Sequence, residues 1–138
     1  MALTFMPPLI AGLGIGLYET ILIHRDVDVP THRFGHSIHA FVIALVASFI
    51  VFNVPFALSL FPFLAGIPFV GSTIGVRILV GLIMIIKIHA TSAALKGAGR
   101  STAGMGETWT HSLMVGVLTV AAPYAWPFIA PVLPAWLR

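Results

Sequence analysis

AFVIALVASFIVFNVPFALSLFPFLAGIPFVGSTIGV, residues 40–76, decides the fold. It contains no Asp, Glu, Lys or Arg from end to end. A helix that crosses the hydrocarbon of a bilayer needs about 20 mainly apolar residues, and this run is far longer than that. It therefore holds more than one element. Pro62, Gly66, Pro68 and Gly71 fall in its second half, and proline both removes a backbone donor and clashes with the preceding turn. The reading that follows is a span over about 38–60, a turn over Phe61 to Ser72, and a new span over about 74–94. The turn belongs at the interface or dips back into protein, because bare backbone facing lipid tails is too costly.

Working outward, two further apolar stretches of spanning length appear, at about 5–23 and 110–132. Composition agrees. Of the 138 residues, 59% are hydrophobic and 8% charged, and mean hydropathy is +1.06. A soluble domain of this size needs a polar shell that so few charges do not supply. The expected fold is an all-α integral membrane protein: four transmembrane helices in an up-down bundle, with a short apolar Pro/Gly loop between the second and third spans. Residues 1–138 read as a single transmembrane domain without repeats. Met1 to Ile23 lacks a basic leader and a small-residue cleavage site, so it reads as a retained first span.

Boundaries carry local signals. Asp28 and Pro30 suit the start of the second helix. Gly97, Gly99, Gly104 and Gly106 make the third connection flexible, and Glu107 suits the opening turn of the fourth helix, where the helix dipole favours a carboxylate. Pro123, Pro127, Pro131 and Pro134 should bend or break the end of that span. Gly12 and Gly16 form a small-xxx-small step for close helix packing. Arg25, Arg33, Lys96 and Arg100 fall in the first and third connections, against Arg138 at the other end, with Arg77 a further count there if it snorkels. This bias puts loops 24–37 and 95–109 in the cytoplasm and both termini outside, with the plasma membrane of a prokaryote as the favoured location. Tyr124, Trp126 and Trp136 fit an outer aromatic belt and Trp109 an inner one.

Connectivity then gathers the ionisable residues. All six histidines, both glutamates and Lys87 fall at one end of an up-down bundle. His32, His36 and His39 share a helical face by their spacing, as do Glu107 and His111. Imidazole is the commonest metal ligand and suits zinc, copper and iron, and carboxylate–His pairs one turn apart build metal sites in helix bundles. The candidate metal ligands are His36, His39, His89, Glu107 and His111. His39 and His89 are the candidate axial pair for a haem. Glu19 and Lys87 form a candidate supporting ion pair, since an ionisable group inside a span usually faces a partner. Hydrogen bonding between helices is the competing role for these histidines, and His24 and His32 fit solvation at the headgroups.

The string His32-x-x-x-His36-x-x-His39 resembles a fragment of the histidine boxes of membrane desaturases and hydroxylases. Those families use several boxes and more histidines than this chain has, so the resemblance does not imply a complete di-iron site. Asp28-x-x-x-His32 is similar to a copper-binding pattern in subunits of membrane monooxygenases, which would place the chain beside such an enzyme.

Several classes are excluded. Without cysteine there are no disulfides, thiolate metal sites or thiol catalysis. The seven Lys and Arg are dispersed and form no stripe for nucleic acid. Three functions remain. The first is an accessory subunit of a larger integral-membrane complex, such as a metal-dependent oxidoreductase or monooxygenase, and not an enzyme on its own. Next comes a redox subunit that binds haem, copper, iron or zinc through the histidines. Last is a proton channel or transporter, disfavoured because nothing ionisable falls at mid-bilayer. Absence of any cofactor is equally compatible with the sequence.

Overall fold

The computed structural model describes residues 2–26, 30–97 and 108–138, and within them the side chains of 2–25, 34–90 and 108–138. The elements are α1 (Met6–Asp26), α2 (Pro30–Phe52), α3 (Val54–Leu60), α4 (Pro62–Ala65), α5 (Thr73–Gly97) and α6 (Trp109–Ile129). Two 3₁₀ turns follow, Ala130–Val132 and Ala135–Leu137. No strand occurs among the described residues. Four helices, α1, α2, α5 and α6, are long and apolar enough to cross a membrane.

The distribution of side chains shows why these helices suit a bilayer. Leu9, Leu13, Leu17 and Ile21 form an exposed stripe on α1, and Phe34, Ile38, Val42 and Val46 form another on α2. Their spacing of four keeps each stripe on one face. The interior combines aliphatic residues with small and polar ones: Ala40, Ala44, Ala47 and Ser48 on α2, and His111, Ser112, Val115, Gly116 and Thr119 on α6. Glu19 and Asn53 are each only 5% exposed. Exposed large apolar residues suit lipid, and small residues at helix contacts let backbones approach closely.

Glycines set the closest contacts. A Cβ on Gly12 would lie 2.8 Å from Leu45 Cα, and one on Gly16 would lie 3.1 Å from Phe41 Cα. Both glycines therefore seat α1 against the backbone of α2. A Cβ on Gly116 would lie 2.9 Å from the Gly81 carbonyl oxygen, which fixes the α5–α6 crossing. The molecule is thus two tight hairpins, α1–α2 and α5–α6. They meet around a core that includes Ile15, Ala44, Val51, Val80, Met84 and Val115.

The second span differs from the expected 38–60. The candidate span is Phe34–Phe52, within a helix that starts at Pro30, where the sequence places it, and ends at Phe52. Asn53 leaves helical geometry (φ −119°, ψ 45°), and Pro55 lies in the first turn of α3. Proline is tolerated there because its missing N–H has no helical partner in a first turn. The remaining apolar residues, through Leu60, form the separate short helix α3. α4 and a turn complete the connection, where Leu60, Phe61, Phe63, Ile67 and Phe69 are exposed. Phe69 takes a left-handed conformation (φ 66°). Its carbonyl accepts the Ser72 hydroxyl at 2.6 Å, and the Ser72 oxygen accepts the Gly75 N–H at 3.0 Å. Ser72 thereby caps α5. At the other end of the chain, α6 continues through Pro123 and Pro127 before tightening into 3₁₀ geometry at Ala130.

Candidate functional site

Three helices bring polar side chains to one small recess. Glu19 comes from α1, His36 and His39 from α2, and Lys87 from α5, with Ile23, Ala40, Ile43 and Ile88 completing the wall. Glu19 projects inward because it continues the face of α1 that carries Gly12, Ile15 and Gly16. His36 and His39 are one turn apart on α2, His36 half-buried and His39 exposed. The recess measures about 20 Å³. A water needs roughly 10–15 Å³ by this kind of measure, so the space suits one water and nothing the size of a porphyrin.

The remaining candidates fall elsewhere. The His89 ring stacks on the Trp109 indole, with centroids 3.8 Å apart and planes 23° apart. Its Nδ1 is buried with no hydrogen-bond partner among the described residues. His111 is 1% exposed in the first turn of α6. Its backbone N–H donates to the Thr108 hydroxyl at 3.2 Å, so Thr108 is the N-cap of α6. His24 is exposed, with Nδ1 2.8 Å from the Thr20 carbonyl oxygen. Glu107, Asp28 and the side chain of His32 lie outside the described residues. Among the described residues, no three His, Asp or Glu side chains are grouped to hold a metal ion. The structure thus joins Glu19 and Lys87 with two of the histidines, and sets His89 apart in an aromatic stack.

Two polar stations stand at the opposite end, where the sequence reading gives Arg77 only as a charge able to snorkel and assigns Asn53 no role. Asn53 holds the N-terminal segment. Its Oδ1 accepts the Thr4 N–H at 2.8 Å, and its Nδ2 donates to the carbonyls of Thr4 at 2.9 Å and Phe49 at 3.0 Å. Arg77 Nε donates to the Val51 carbonyl at 3.0 Å, and its guanidinium lies over the Tyr124 ring, 4.7 Å from the centroid. The helical donor to the Val51 carbonyl would be residue 55. That residue is proline and has no N–H. Pro55 was the available signal: it frees a carbonyl four residues upstream, inside a bundle where a donor must be found.

Fold and side-chain distribution define an all-α membrane bundle of four candidate spans, with a histidine-rich end and an arginine-bearing end. Comparison with known protein families, characterised proteins and solved structures gave no match.

Proposed function

We propose that this chain is an accessory subunit of a larger integral-membrane complex. One observation carries the reading: an open apolar groove of about 580 Å³ between α1 and α6. Small residues line much of it, including Ala11, Gly14, Ala121, Ala122 and Ala125. A Cβ placed on Gly14 meets nothing within 4 Å. In lipid, association comes from close packing of surfaces with small residues, and this groove admits a neighbouring helix to short range. The histidine-rich end would then face a partner's loops or lipid headgroups. Glu19 and Lys87 would fix its inner corner as an ion pair. Loops 24–37 and 95–109 are assigned to the cytoplasmic side of a prokaryotic plasma membrane, with both termini outside.

The test is gentle extraction of the intact assembly, followed by measurement of subunit stoichiometry and bound metals on the same sample. The expected result is a fixed ratio to larger membrane chains, weakened by Gly14→Phe. A lone bundle carrying haem or a transition metal, lost on changing His36, His39, His89 or His111, would overturn it in favour of a redox role.

A further inference from the structure

We infer that Arg77 and Tyr124 form a binding site for the phosphate of a membrane phospholipid, with an acyl chain lying in the groove between α5 and α6. The guanidinium is preoriented. Nε is held by the Val51 carbonyl, and the Tyr124 ring covers one face. The four Nη–H donors make no hydrogen bond to any described residue. A planar fork of this kind matches the oxygens of a phosphate. Among the described side chains the only acidic one is Glu19, which lies in the recess with His36, His39 and Lys87 and not beside Arg77.

Arg77 also lies near one end of its candidate span, Thr73–Ala90. It lies just past the first turn of α5, level with the last turn of α2 that supplies Val51. An arginine further into the hydrocarbon would be far more costly. Directly below it, an apolar groove of about 390 Å³ runs along the lipid-facing side of α5 and α6. Tyr124 and Ile78 stand at its upper end, Ile85 and Gly116 at its lower end. On α6, the distance from Tyr124 to Gly116 is about 12 Å at the helical rise per residue. One leaflet of a hydrocarbon core about 30 Å thick is roughly 15 Å deep. The groove thus has nearly the length of an extended chain in one leaflet. Its floor is low because Gly81 and Gly116 meet there without side chains. The cation and the groove are adjacent, and a phospholipid is the molecule that satisfies both.

The experiment uses the full chain in a neutral detergent. Its thermal unfolding midpoint is measured with increasing phosphatidylglycerol, and with diacylglycerol of the same chains, inorganic phosphate and glycerol phosphate as separate arms. Phosphatidylglycerol should raise the midpoint saturably, and the other three should not. Arg77→Gln should weaken apparent lipid affinity by about tenfold to a hundredfold, the range for a lost charged hydrogen bond. Arg77→Lys should weaken it less. Val117→Phe leaves the arginine in place and fills the groove at a position already 58% exposed. It should also reduce affinity, and it decides the matter if Arg77→Gln does not fold. Three results would overturn the proposal: wild-type lipid affinity in Val117→Phe, an effect of diacylglycerol equal to that of phosphatidylglycerol, or an equal effect of inorganic or glycerol phosphate, which would mean a free anion site.

Discussion

Replacing Asn53 by Ala should loosen the end of the bundle opposite the histidines. The side chain makes three hydrogen bonds, two to the backbone of Thr4 and one to the Phe49 carbonyl. In membrane bundles such bonds contribute on average about 0.6 kcal/mol each, and at most about 1.7. The loss is therefore about 2 kcal/mol, with a ceiling near 5 kcal/mol, or roughly 30-fold in the unfolding equilibrium at the lower figure. The Thr4 contacts use only its main chain, so Thr4→Ala should leave stability within about 0.5 kcal/mol of wild type. Asn53→Asp keeps an acceptor for the Thr4 N–H but loses both Nδ2 donors, and introduces a carboxylate at a buried position. It should be at least as destabilised as Asn53→Ala. The assay is reversible unfolding in mixed detergent micelles, followed by helical circular dichroism, together with protease nicking ahead of Met6 as a local probe. Equal effects of Thr4→Ala and Asn53→Ala, or an Asn53→Ala protein as stable as wild type and no more readily nicked, would refute this account of the clasp.

Two further outcomes are expected. Gly116→Ala puts a Cβ 2.4 Å from Ile85 Cγ1 and 2.9 Å from the Gly81 carbonyl oxygen, whereas Gly14→Ala meets nothing. The two variants share the same gain in helix propensity, so their stabilities in the same unfolding assay should differ by the overpacking term alone, about 1–3 kcal/mol; identical stabilities would count against the α5–α6 contact. A double-mutant cycle with Glu19→Gln and Lys87→Met should show a favourable coupling of about 1 kcal/mol, kept small because Lys87 is exposed and solvent-screened. A coupling of zero would leave the two residues as neighbours in the recess without an ion pair.

The sequence made the fold legible because absence of charge is a coarse signal that survives errors in detail. Residues 40–76 required a break, and the prolines and glycines placed the turn. The end of α2 was harder to see. Apolar character continues through Val54–Leu60, so hydropathy alone does not mark Phe52 as the last residue. Asn53 followed by Pro55 did mark it, through backbone geometry instead of hydrophobicity. The polar end was visible from connectivity, yet its internal arrangement was not. Rotation of each helix about its axis decides whether His89 meets Glu19 or Trp109, and an all-apolar surface leaves that rotation unspecified. Gly12, Gly14 and Gly16 illustrate the same point: two face α2, and the middle one faces the α1–α6 groove. From sequence, Arg77 reads only as a charge able to snorkel to the headgroups. Its partner carbonyl was created by a proline on another element, a link that no local pattern displays.

The pairing of glycines within each hairpin also predicts an order of events during biosynthesis. α1 can settle on α2 through Gly12 and Gly16 before α5 exists, and α5 can settle on α6 through Gly81 and Gly116 without help from the first pair. The expected order is assembly in two instalments, with the seam between the hairpins the last surface to close. The same seam is the plane along which the molecule would first part under load. A neighbour that inserts between α1 and α6 would be driving a wedge into an existing line of weakness while leaving both hairpins intact.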